Sequence, residues 1–366
     1  ATVGDRSSNQ LTAGGELRTT EGSTNENFFF SNGDFLFVRR AGGEQQTAGA
    51  FVQNTFSGQR WEFQIGARGD RWESEQGFRS ETSRTTGVPR LDLTFEDRSE
   101  TEFSPRVAAV FDAGNGIGIR GSVYEAFRAP SINELYRPFR VRSDITAANE
   151  ALVPENLTGT EVGVDFRGGK TVRGKVTGFW NEIDDPIANV TIGFGPGRIG
   201  PCGFTPGGGA CRQRQNLDQT EVSGLEAEID VRPSHRLRMS ASYLYSDTEI
   251  TGASNQPALR GNRIAQVPET QVVVRASYAS DSNLGISIQA RFVDDQFEDD
   301  LNTRPLDSFT TVDVAVTQKL NDGWTAFLRL ENIFDEEIQT GRTETGLTAI
   351  GTPFLVHGGV RVRLRH

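Results

Sequence analysis

Apolar and polar side chains alternate along most of this chain. Trp61, Phe63, Ile65 and Ala67 share one parity, and Glu62, Gln64 and Arg68 the other. Phe103, Val107, Ala109 and Phe111 oppose Glu102, Arg106 and Asp112 in the same way, while Ile117, Ile119 and Val123 oppose Arg120 and Tyr124. A repeat of two residues sends successive side chains to opposite faces of a strand, so each segment predicts a β-strand with one greasy and one polar side. The pattern sharpens in the C-terminal half. There Leu225, Ala227, Ile229 and Val231 alternate with Glu226, Glu228 and Asp230, and Val356, Val360, Val362 and Leu364 with His357, Arg361, Arg363 and Arg365. With strands over 11–19 and 48–56 included, about fourteen are predicted. Many approach the ~9–11 residues that a tilted strand needs to cross a bilayer, whereas soluble strands run to about 5–6.

The connections alternate too. Tight turns rich in Gly, Asn, Asp, Ser and Pro fall at 57–60, 112–116, 167–170, 232–235, 280–283 and 321–323, as turn chemistry requires. Between them lie long loops, read at 20–46, 74–99, 127–157, 185–214, 248–269, 294–307 and 333–352. Strict alternation puts every long loop at one rim, the asymmetry of outer-membrane barrels. Arg120, Arg173, Arg275, Arg291, Arg329, Arg361 and Arg363 share the polar face, which matters because an arginine at the lipid midplane costs about 2–4 kcal/mol. Trp61, Trp180, Tyr243, Tyr245, Tyr278, Trp324 and Phe354 near strand ends suit interfacial girdles. The fold class expected is all-β, a transmembrane antiparallel β-barrel.

Composition narrows this only a little. The 366 residues include 41 Gly, 24 Phe and one Met, and no stretch supplies the ~18 apolar residues of a membrane helix. Mean hydropathy is negative, but alternating strands average out in this way. The net charge of −11 speaks against nucleic acid as a partner. Cys202 and Cys211 sit alone in a Gly/Pro-rich stretch, which favours a local disulfide in an oxidising compartment over two free thiols or a metal site. The acidic run 294–300 lacks the spacing of a calcium loop and reads as a solvated loop. His235, His357 and His366 are too few to suggest catalysis, and no nucleophile stands beside a base. The Gly-rich stretches 193–197 and 207–209 read as flexible loop, without the strand and helix context of a phosphate loop. No enzyme activity, cofactor or metal is expected.

Four stretches carry a resemblance. Phe127-Arg128-Ala129-Pro130-Ser131, followed by Glu134-Leu135-Tyr136 and by Leu152-Val153-Pro154-Glu155, resembles the "FRAPS-x-x-ELY … L-x-PE" signature of TonB-dependent outer-membrane receptors. Asn216, with Gly224-Leu225-Glu226 downstream, resembles the family's N-x7-G-h-E segment (h, apolar). Leu330-Glu331-Asn332-Ile333-Phe334-Asp335 is similar to its h-E-N-h-F-D ending, and Gly351-Thr352-Pro353 precedes a final strand of the expected kind. The matches cover most of residues 48–366.

The resemblance implies an outer-membrane receptor of a Gram-negative bacterium importing a scarce, large nutrient such as a ferric siderophore or cobalamin. Energy would arrive from TonB through a plug inside a barrel of 22 strands. Residues 1–366 would then be the C-terminal part of that barrel domain, the plug and some eight strands preceding residue 1, as would any leader. Outer-membrane lipid and lipopolysaccharide are the surroundings implied. Ligand contact is expected at Arg128, Asn133, Tyr136 and Arg140, in the loop opened by the first motif. His366 departs from the aromatic ending usual in the family. A passive outer-membrane porin with a smaller barrel is the alternative, and a soluble or surface-attached binding module a third reading.

Overall fold

Fourteen strands follow one another in one antiparallel meander across the computed structural model, which describes residues 8–363. They are β1 (Ser8–Ser31), β2 (Asp34–Ser57), β3 (Trp61–Ser83), β4 (Arg98–Gly114), β5 (Ile117–Arg128), β6 (Glu155–Gly168) and β7 (Val172–Asp184). There follow β8 (Gln219–Val231), β9 (Leu237–Gly252), β10 (Thr270–Ala279), β11 (Leu284–Val293), β12 (Phe309–Lys319), β13 (Trp324–Glu331) and β14 (Leu355–Val362). The short strand Pro89–Thr94 adds to the upper part of β3. Among the described residues no ladder joins β1 to β14, so these strands form a wall with two free edges. The expectations for Leu364, Arg365 and His366 lie outside the described residues.

The six tight turns expected from the sequence all fall at one rim. At Asn115-Gly116 both residues take positive φ, 54° and 79°, which suits the right-handed twist of a hairpin. A Cβ at Gly116 would lie 2.3 Å from the Arg167 carbonyl oxygen, so only glycine fits there.

At the opposite rim two expected loops are corrected. Residues 20–46 form the upper half of a hairpin, β1 and β2 each running 24 residues to a turn at Asn32-Gly33. Residues 74–99 are largely strand as well, since β3 runs 23 residues and β4 begins at Arg98. Above the lipid both faces meet water, so the apolar alternation fades although the hydrogen-bonded ladder continues.

The two faces separate as the alternation requires. Phe103 is 64% exposed and Val162 61%, and Ile65, Val123, Val176 and Val274 are exposed on the same side. A soluble sandwich would bury these side chains between sheets; here they form a continuous apolar exterior, far beyond what a soluble surface carries. The opposite face pairs its charges, Lys175 with Glu228 at 3.0 Å, Arg120 with Asp165 at 3.4 Å and Arg329 with Glu331 at 3.1 Å. The exterior is bounded at both rims. Near the tight turns Trp61 lies on Phe111, ring centroids 4.2 Å apart. On β7, Val172 to Trp180 spans about 26 Å along the strand at ~3.3 Å per residue, close to the ~25 Å of an outer-membrane apolar band. One step beyond Trp180, Glu182, Glu221 and Glu249 stand opposite one another on three adjacent strands. Like charges so placed repel, an arrangement suited to water and unsuited to hydrocarbon.

Substituting Val176 by Arg, on the lipid face near the middle of β7, is expected to cost about 2–4 kcal/mol in reversible unfolding from lipid vesicles. Lys175→Gln, one residue away on the other face, is expected to cost well under half of that. Equal costs at both positions would contradict the assignment of faces.

Candidate functional site

The first motif builds a knot on the charged, inner face of the wall. β5 ends at Arg128, Pro130 denies a backbone donor to any continuing ladder, and Ser131 caps the short helix α1 (Ile132–Tyr136). The cap is reciprocal: the Glu134 amide donates to Ser131 Oγ at 3.3 Å and the Ser131 amide to Glu134 Oε2 at 2.7 Å, a capping box. Arg128 donates to Glu134 at 3.0 Å and pairs with Glu155. Because Glu155 is the first residue of β6, one guanidinium clamps the start of the loop 129–154 to its end. Burial alone would raise the Glu134 carboxyl, but hydrogen bonds from Arg128 and Ser131 outweigh it and hold it below the usual carboxylate range.

Tyr136 locks this knot to the wall. It is 1% exposed and is enclosed with Trp72, Leu135 and Leu152. Its hydroxyl lies 3.0 Å from Ser74 Oγ, and its ring stacks on Phe95 at 5.1 Å. A Cβ at Gly77 would stand 2.4 Å from the ring, so glycine there admits the tyrosine. Gln45 of β2 donates to the Pro130 carbonyl at 2.7 Å. The loop therefore folds down onto β2 and β3.

Of the residues expected to meet ligand, Arg128 and Asn133 come together on the wall of a cleft of about 680 Å³ between this loop and β1–β3. Tyr136 does not line this cleft: its ring is buried beneath the loop and its hydroxyl is engaged by Ser74. Arg140 lies apart, on the short strand Phe139–Val141, donating to the Arg142 carbonyl at 2.6 Å.

A second assembly joins two loops. The segment Ala210–Asn216 pairs antiparallel with Ile187–Phe194 and parallel with Asp144–Ala147, which in turn pairs with Phe139–Val141. Cys202 and Cys211 are disulfide-bonded, with Cα atoms 5.8 Å apart. Beside this small sheet lies a cavity of about 710 Å³ whose lining mixes Ile187, Ile250 and Leu347 with Arg212, Glu298 and Asp299. Burial pushes the Glu298 carboxyl up, against a hydrogen bond from Gln266 that partly offsets it. The reading of 294–300 as a solvated loop is corrected at its end. Asp299 is 2% exposed and accepts from the Thr303 hydroxyl at 2.6 Å and the Arg304 amide at 2.8 Å. Asp300 accepts from Thr191 at 2.7 and 2.6 Å. Asp299 thus closes its own loop, and Asp300 fastens that loop to the one carrying Thr191.

Two residues whose roles the sequence did not disclose are Asn216 and Asn332. Asn216 donates to the Val153 carbonyl at 3.1 Å and accepts from the Val153 amide at 3.0 Å, tying adjacent loops. Asn332, with φ of 46°, donates to the Glu336 and Thr352 carbonyls and accepts from the Glu336 amide. The signal available was their place in the family-like segments, where a buried amide serves as a backbone staple.

Comparison with known proteins agrees with this geometry. The family model "TonB dependent receptor-like, beta-barrel" matches residues 1–333. The iron-regulated outer membrane virulence protein of Vibrio cholerae is 25% identical over 275 residues, covering 74% of this chain and 40% of that protein. The vitamin B12 transporter BtuB of Photobacterium profundum is 23% identical over 234 residues, 63% of this chain and 34% of that one. In fold, the chain is similar to the ferric yersiniabactin uptake receptor FyuA from Yersinia pestis, with a TM-score of 0.76 and 13% identity over 98% of this chain and 52% of that one. The chain thus spans well under half the length of these two curated relatives.

Tyr136→Ala is expected to release the loop 129–154, lowering the free energy of its local opening by about 3–5 kcal/mol in hydrogen exchange, whereas Tyr136→Phe removes a single hydrogen bond and costs about 1 kcal/mol. A carboxyl held low in the folded state stabilises above the usual carboxylate range, and that stability is lost as pH falls through its depressed value. Protection of the loop should therefore decline on acidification below that range, and Glu134→Gln should make this protection lower at neutral pH and flatter with pH.

Proposed function

This chain belongs to the TonB-dependent receptor β-barrel family, proteins of the Gram-negative outer membrane, and from that premise we propose that it forms part of the wall of a larger receptor barrel importing a scarce, large nutrient. A ferric siderophore, cobalamin or a molecule of similar size is the cargo proposed, and TonB, acting through a plug within the lumen, is the source of energy. Relatives named for iron regulation, ferrioxamine B and vitamin B12 support this range. Outer-leaflet lipid and lipopolysaccharide are the proposed surroundings of the apolar exterior.

One observation carries the reading. All long connections leave a single rim, and those after β5 and β7 fold across the inner face to enclose clefts of about 680 and 710 Å³, volumes on the scale of ligand pockets. A third recess, of about 790 Å³, lies near the tight turns, but strands and tight turns alone line it and no long loop closes over it. Arg128 and Asn133 on the first cleft are proposed to contribute to nutrient contact, with Arg140 on the adjoining loop a further candidate.

Deleting the gene is expected to slow growth under iron or cobalamin limitation, with uptake of the matching nutrient restored by the parent gene and abolished by a protonophore. Uptake that persists without the proton gradient, or steady ion conductance in planar bilayers, would overturn the reading.

A further inference from the structure

One buried guanidinium holds together loops that the sheet leaves apart. Arg304, in the connection between β11 and β12, is 6% exposed, and carboxylates from three separate connections approach it. Asp144, of the loop 129–154, lies 3.8 Å away, Glu344, of the connection between β13 and β14, 3.4 Å, and Asp299, of its own connection, 3.7 Å. Asp144 also pairs at 3.3 Å with Arg212, of the connection between β7 and β8. Of the Arg304 nitrogens, Nη1 donates to the Arg342 carbonyl at 3.0 Å, while Nε and Nη2 are buried without a hydrogen bond. No single carboxylate therefore satisfies this cation. A buried charge is tolerated only when it is balanced, and here the balance is collective, drawn from three connections. Among the described residues no hydrogen bond or ion pair runs directly from the loop 129–154 to the connection between β13 and β14, so Arg304 is their common partner. Both border the cavity of about 710 Å³, through Thr146 and Ala349.

We propose that Arg304 is the latch of this cavity, a positioning residue that makes the loop 129–154 and the connection between β13 and β14 open together. When either swings away, its carboxylate leaves a less balanced cation behind, and the surroundings that hold the other are weakened. The effect runs equally in both directions, as a coupling free energy between two sites must. Access to the cavity is thereby set by the loops jointly and not by each alone. Coupling of this kind goes beyond the receptor reading and holds whichever solute is imported.

The test uses the complete receptor as the cell inserts it in its outer membrane, with one reporter cysteine at a time and a membrane-impermeant maleimide added to intact cells. Thr146 is 3% exposed, so Thr146→Cys is expected to label slowly in the parent background, and Ala349→Cys reports on the second loop. Arg304→Met should speed labelling at both reporters at least tenfold, and Arg304→Lys, which keeps the charge but loses the planar fork, by less. The effect across loops decides the matter. Glu344→Gln should speed labelling at Thr146→Cys severalfold, and Asp144→Asn should do the same at Ala349→Cys. Val88→Cys, on the turn that follows β3 and 60% exposed, should label at one rate in every variant, which shows that each is inserted and folded. Substitutions that act only within their own loop, an Arg304→Met variant that labels like the parent, or rates that rise at Val88→Cys as well would overturn the proposal. No nutrient is added, so failure here is separate from failure of the receptor reading, which the growth and uptake of the deletion strain decide.

Discussion

Hydrocarbon offers no partner to a peptide N–H or C=O, and the architecture follows from that fact. Each of β2 to β13 has a ladder on both sides, so the backbone polar groups of these strands are satisfied within the sheet. With main chain and lipid reconciled in this way, the side chains are free to differ between faces. Valines, leucines and isoleucines meet acyl chains, and arginines pair with carboxylates on the other side, where water and protein share the lumen. Nothing about this face separation needs a conventional core, and buried apolar residues are correspondingly few.

What core there is belongs to the loops. Trp72, Leu135, Tyr136 and Leu152 make one cluster, and Val190, Leu217, Ile250 and Leu259 another. Around them, polar staples do the work that apolar contact does in a soluble domain: Arg128 on Glu134 and Glu155, Asn216 on Val153, Asp300 on Thr191. Long connections usually run over the surface with their backbone solvated by water and move more freely than the elements they join. Here they are cross-tied above the lumen, and the surfaces left between them become clefts.

How much of this was legible in the sequence depends on what each residue answers to. The transmembrane strands were legible because lipid imposes a local rule, an apolar side chain at every second position, and Trp61 to Ala67 or Leu225 to Val231 obey it. The turns were legible through their glycines and asparagines. The upper halves of β1, β2 and β3 were not, since residues such as Thr20 and Gln45 face water or lumen and lose the alternation. The burial of Tyr136 was not legible because the Ser74 hydroxyl that engages it lies 62 residues away, beyond any local pattern. Asp299 and Asp300 were misread for a similar reason: an acidic run on paper resembles a solvated surface until Thr303 and Thr191 are seen beside it.

The parallel pairing of residues 145–147 with 211–213 joins excursions that leave the wall on either side of the β6–β7 hairpin. With the disulfide bracing the second of them, neither can swing outward by itself without breaking the rungs they share. The two are therefore tied into one plate over the inner face, and a displacement of either carries the other with it.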